Sequence, residues 1–85
     1  MSAVEIEFYW RPGCGFCSAL HRPLSASGLP VREINIWDDP DGAARVREIA
    51  NGTETVPTVV VGERTFVNPS WPEVEAAYKE QTERV

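Results

Sequence analysis

The chain has 85 residues, 13 of them acidic and 8 basic, for a formal net charge of -5. That length carries one small domain with a modest hydrophobic core, read as a single unit over residues 1–85. Phosphate binding needs a basic stripe, and none is visible, which excludes nucleic acid as a partner; the longest apolar run, near Val56 to Val61, is far too short to cross a bilayer.

"VEIEFYW" (Val4 to Trp10) alternates Ile6 and Phe8 against Glu5 and Glu7, the pattern of a first strand. After Gly13, the apolar positions Cys17, Leu20 and Leu24 recur at helical spacing as far as Gly28. Pro23 lies inside that pattern and is expected to kink the helix or divide it. "VREINIW" (Val31 to Trp37) reads as a second strand.

A second helix is marked in "DDPDGAARVREIANG" by Asp39 as N-cap, Pro40 at the first helical position and Asp41 near the positive end of the dipole. Its apolar stripe is Ala43, Val46 and Ile49 or Ala50, and Gly52 supplies the stop. "TVVV" and "RTFV" are two strands joined by the two-residue turn Gly62–Glu63. "SWPE" is a capping box in which Ser70 and Glu73 satisfy each other's backbone N–H groups. Val74, Ala77, Tyr78 and Gln81 continue this last helix to a polar, frayed C-terminus. The order β-α-β-α-β-β-α requires two parallel strands joined by a right-handed crossover, followed by an antiparallel hairpin. This is an α/β fold with a four-stranded mixed sheet and helices on both faces.

The only cysteines are Cys14 and Cys17, in "RPGCGFC". Two cysteines make no disulfide scaffold, and in a reducing compartment such a pair is catalytic or redox-sensing. The N-terminus has acidic residues where a secretory signal carries basic ones, so a cytoplasmic location is expected. At a strand-to-helix junction, Cys14 meets unpaired N–H groups and a helix dipole that stabilise a thiolate. Cys17, one turn on and deeper, is within reach of Cys14 and suited to resolve what Cys14 attacks. Arg11 can add positive charge near the thiolate or hold a substrate carboxylate. Phe16 is expected to point outward as an apolar contact.

Other side chains are read as structural. A zinc site needs about four ligands, and beyond the thiols only His21 and carboxylates are on offer, so no metal is expected. His21 itself is read as a solvated helix residue, because a catalytic base requires hydrogen-bond geometry that spacing does not provide. Trp10 and Trp37 follow strands as packing or edge residues. In "ETVPTVVV", the Val56–Pro57 bond decides whether Val56 turns its backbone outward to pair with an extended substrate. Local sequence favours trans, since cis forms are about 5–6% of X–Pro bonds in folded proteins.

"FYWRPGCGFC", "TVPT" and "GERTFVNPS", in this order and spacing, resemble the glutaredoxin branch of the thioredoxin fold, most closely the actinobacterial mycoredoxins. The resemblance covers nearly the whole chain. It implies a thiol–disulfide oxidoreductase with Cys14 as nucleophile, Cys17 as resolving cysteine and Pro57 as a cis proline facing them. It further implies a low-molecular-weight thiol bound by Arg11, Phe16, Thr55 and Val56, and by Asn68 and Ser70 at the turn into the last helix. That thiol is expected to be mycothiol rather than glutathione, because "VNPS" stands where a Gly-Gly-Asp-type turn binds glutathione. The implied partners are mycothiolated or disulfide-containing proteins and a mycothione or thioredoxin reductase system, served by a monomer with no tightly bound cofactor. Two alternatives stay open. One is a thioredoxin-like reductant of the nucleotide-reductase redoxin (NrdH) type. The other is a [2Fe–2S] carrier, since Gly15–Phe16 replaces the Pro-Tyr of common dithiol glutaredoxins and resembles the monothiol C-G-F-S motif.

Overall fold

Strand β1 (Ile6–Trp10) lies inside the sheet because both of its faces are apolar enough to be covered. The computed structural model describes residues 4–83; the outermost ends of the expected 1–85 unit, including the last two residues of the expected frayed C-terminus, lie outside the described residues. The remaining elements are α1 (Gly15–Ala26), β2 (Val31–Asn35), α2 (Pro40–Ile49), β3 (Thr58–Val61), β4 (Arg64–Val67) and α3 (Trp71–Glu83). The strands are ordered β2-β1-β3-β4, with β1 parallel to β2 and antiparallel to β3, and β4 antiparallel to β3. This is the four-stranded mixed sheet expected from the element order, in the thioredoxin-like arrangement that the resemblance implies.

Register assigns the two faces. Phe8 stands opposite Glu33 and Val59, and Tyr9 opposite Ile34 and Thr58. Ile6, Phe8, Val59 and Val61 therefore share one face, against α1 and α3, where Leu20, Leu24, Val74 and Ala77 are buried. Tyr9, Ile34, Thr58 and Val60 share the other face, and α2 packs there through Ala43 and Val46. Gly42 of α2 comes so close to β2 that a Cβ there would lie 2.6 Å from Cγ2 of Ile34. Only a glycine permits that approach.

Two local expectations change and a third gains detail. Alternation put Glu7 opposite Ile6 and Phe8 without naming a partner for it; on that side, under α2, Tyr9 is buried and donates its phenolic O–H to Glu7 Oε1 at 2.7 Å. Helix α1 runs undivided through Pro23; the buried Leu20 and Leu24 flanking it hold the helix on the sheet despite the missing N–H. Strand β2 stops at Asn35 rather than Trp37, because the Asn35 side chain accepts the Trp37 N–H at 3.0 Å and turns the chain. The remaining caps form as read: Asp39 accepts the Gly42 N–H at 3.1 Å, and the Ser70 N–H donates to Glu73 Oε1 at 2.8 Å.

Burial, followed by the hydrogen bond to Glu7 and the charge of that carboxylate, pushes the Tyr9 phenol from 10.0 up to about 12. Between those two values the folded chain keeps a proton that the unfolded chain releases. Stability therefore falls with rising pH across that window, by about 1.4 kcal/mol per unit at its steepest. Tyr9→Phe removes this contribution. Thermal unfolding near neutrality and at about pH 11 should show a smaller alkaline loss for the variant than for the parent; equal losses contradict the assignment.

Candidate functional site

Cys14 is the N-cap of α1, with extended backbone (φ -98°, ψ 108°). The chain reaches it from β1 through Arg11, Pro12 and Gly13, whose φ of +77° lets the turn close without a side chain in the way. The Cys14 sulfur accepts the Cys17 N–H at 3.2 Å, the place a capping oxygen normally takes. A negative charge on this sulfur is thus stabilised by a helix N-terminal N–H and the aligned dipole. Both thiols are free; Cys14 is half-buried and Cys17 is 3% exposed.

Cys17 is the opposite kind of thiol. Burial, then a hydrogen bond with the Cys14 side chain, pushes it from 9.0 up to about 12, against a smaller pull from a backbone hydrogen bond and the charge of Arg11. It is protonated at neutral pH and needs a proton acceptor before it can attack. The pair thus joins one thiol at a helix start with one in the protein interior.

The Val56–Pro57 bond is cis, the isomer the resemblance implied and the local sequence did not favour. Val56 is buried, and its carbonyl accepts the Cys14 thiol at 3.7 Å. The Pro57 carbonyl accepts the Asn68 N–H at 2.8 Å, which ties this turn to the end of β4. Thr55 is exposed; its hydroxyl shares a hydrogen bond with Thr53 at 2.8 Å, and its carbonyl accepts from Thr58.

Other residues singled out by sequence are placed as follows. Phe16 is 70% exposed beside the thiols. Arg11 donates from its guanidinium to the Pro12 carbonyl at 3.1 Å and lies 5.9 Å from the centroid of the Trp37 ring, close enough to the motif for its charge to act on Cys17. Ser70 is engaged by Glu73 through both its N–H and its hydroxyl, so the start of α3 is already closed by this chain's own carboxylate. Among the described residues no three His, Cys, Asp or Glu side chains gather to hold a metal ion.

A cleft of about 480 Å³ opens behind the thiols, between α1 and β2. Phe8, Trp10, Arg11, Cys17, His21 and Glu33 are among its walls. Sequence reasoning missed Glu33 and Trp37. Glu33 reaches the cleft only because parallel pairing sets it beside Phe8, and Trp37 meets Arg11 only after the chain turns at Asn35.

The sequence profile described as Glutaredoxin matches residues 6–67. No curated protein matches the chain. The thioredoxin-like protein BC3987 superimposes with a TM-score of 0.75 at 19% identity, over 86% of this chain and 99% of that one. The glutaredoxin grx-1 of Archaeoglobus fulgidus gives 0.72 at 20% identity, over 87% of this chain and 85% of its own. For NrdH-redoxin of Escherichia coli, a glutaredoxin-like protein with a thioredoxin-like activity profile, the TM-score is 0.63 at 28% identity, over 74% of this chain and 80% of its own. The first two likenesses speak for the fold, and the profile speaks for the lineage: the chain belongs to the glutaredoxin family.

Proposed function

We propose that this protein is a thiol–disulfide oxidoreductase that clears mixed disulfides between proteins and a small thiol, with mycothiol as that thiol. One observation carries the reading: the Cys14 sulfur caps α1 and accepts the Cys17 N–H while facing the Val56 carbonyl just before Pro57. In the first step the Cys14 thiolate attacks the small-thiol sulfur of the mixed disulfide. A Cys14–small-thiol bond forms, the original disulfide breaks, and the protein substrate leaves as a thiolate that takes a proton. A second small thiol, or Cys17, then displaces the adduct and leaves either a small-molecule disulfide or a Cys14–Cys17 disulfide.

The choice of mycothiol over glutathione is supported by the Val67–Ser70 turn. A peptide carboxylate arriving at the start of α3 would have to displace the Glu73 carboxylate from Ser70 and would meet its like charge. Hydrogen bonds from the Ser70 backbone and hydroxyl hold the Glu73 carboxyl below its usual range, so it stays charged at neutral pH. In this reading the protein works in the cytoplasm as a monomer, with mycothiolated proteins as substrates and no tightly bound cofactor.

The test offers the reduced protein two versions of one substrate protein, modified with mycothiol or with glutathione, and follows release by mass. Mycothiol should leave at least about tenfold faster, a difference of about 1.4 kcal/mol in the barrier. Release of neither sinks the proposal, and a preference for glutathione sinks its choice of thiol. A second reading, direct reduction of protein disulfides with electrons from thioredoxin reductase, draws on the likeness to NrdH-redoxin. It is recognised by NADPH-driven turnover with no small thiol present.

A further inference from the structure

The dithiol branch needs a proton acceptor for Cys17, and the cleft contains one that the mechanism above does not use. His21 follows Cys17 by four residues on α1, so the two side chains stand one turn apart on the same helix face, with Cβ atoms about 5–6 Å apart. Both line the cleft, and a single water spans such a gap. The imidazole is fixed from two directions. Its ring stacks on Phe8 with centroids 5.8 Å apart and planes 28° from parallel. Its Nε2 lies 3.2 Å from Glu33 Oε2. A carboxylate only accepts, so Nε2 carries the hydrogen and Nδ1 keeps the basic lone pair.

We propose that His21, oriented by Glu33, takes the Cys17 proton through cleft water when Cys17 attacks the mixed disulfide on Cys14. The step rests on the function proposed above and balances as follows. The Cys17 S–H bond breaks and its proton passes to Nδ1. The Cys17–Cys14 bond forms while the bond from Cys14 to the small thiol breaks. The Cys17 sulfur is oxidised, the departing sulfur is reduced, and the small thiolate takes a proton from solvent. The charged groups around the imidazole are Glu33 on β2, Arg22 on α1 and Arg11 on the loop after β1; the neighbouring part of β1 presents the uncharged Phe8. Glu33 Oε2, 3.2 Å from Nε2, is placed to pair with the imidazolium that the step forms. Glu33 is a positioning residue, since it acts through His21.

Stopped-flow reaction of the reduced protein with dithiobis(nitrobenzoate) separates the two thiols. Cys14 releases one coloured thiolate in a concentration-dependent phase, and Cys17 releases the second in a concentration-independent one. The readout is the ratio of second-phase to first-phase rate constants. His21→Ala should lower that ratio about a hundredfold at neutral pH, and added imidazole should restore part of it. In the parent the second phase should level off well below pH 12, whereas in His21→Ala it should keep climbing toward the pH where Cys17 ionises unaided, about 12. Glu33→Gln should lower the ratio by a smaller factor and keep the plateau. An unchanged ratio overturns the proposal. A lowered ratio with the parent's pH profile and no imidazole rescue also overturns it, because that is the mark of a packing role. Absence of the first phase in the parent instead indicts Cys14 as nucleophile, and with it the function on which this inference rests.

Discussion

Cys14→Ser is expected to reduce disulfide reduction by about 10³-fold or more, to the background of the uncatalysed exchange. A serine hydroxyl keeps the N-cap hydrogen bond to the Cys17 N–H, so α1 still starts where it does and the fold is preserved. What disappears is the only sulfur that is both half-exposed and stabilised as an anion by the helix start. Cys17 cannot replace it, being 3% exposed and protonated up to about pH 12. Cys17→Ser should behave differently. It should retain reduction of mixed disulfides by the route using a second small thiol, and lose reduction of protein disulfides, which needs a resolving thiol. Steady-state rates on the two substrate types, each measured for both variants, separate the outcomes. Activity surviving in Cys14→Ser refutes the assignment of the nucleophile, and loss of both activities in Cys17→Ser refutes the division of labour.

The largest stability loss is expected from Phe8→Ala. Phe8 is 1% exposed at the centre of β1, with Glu33 and Val59 as strand neighbours and His21 stacked on it. Removing the ring takes away its transfer free energy and leaves a cavity that a sheet flanked by α1 and α3 cannot close, a cost of about 3–5 kcal/mol. Domains of this kind are stable by roughly 5–15 kcal/mol, so the variant should be partly unfolded under mild conditions. Urea unfolding should show a large drop in midpoint with little change in slope. A loss below about 1 kcal/mol would mean that the site collapses around the missing ring and that Phe8 is not the centre of the core.

Much of the fold was legible because its signals are local. Asp39–Pro40, the Ser70–Glu73 box and the Gly62–Glu63 turn each act within four residues, and each forms as read. The element order fixed the mixed sheet for the same reason, since a parallel pair must be bridged by a crossover. The Tyr9–Glu7 hydrogen bond was not legible for the converse reason: period-two alternation names two faces but not the partners that a residue finds on either. Pro23 was judged by its missing N–H alone, although the burial of Leu20 and Leu24 carries the helix through it.

The sequence by itself determined that Cys14 and Cys17 are one helical turn apart at a strand-to-helix junction, because that follows from spacing and from the glycine-flanked turn. Tertiary structure alone decided what surrounds them. The Val56 carbonyl reaches Cys14 across 42 residues of chain, and Glu33 reaches His21 across 12, each through strand pairing that no local pattern encodes. Arg11 shows the limit most clearly. Its position beside the motif suggested a charge near the thiols, but only the folded chain shows that the guanidinium also meets the Trp37 ring. The physical reason is that a flexible side chain goes where its neighbours in space stabilise it, and those neighbours are set by the fold as a whole.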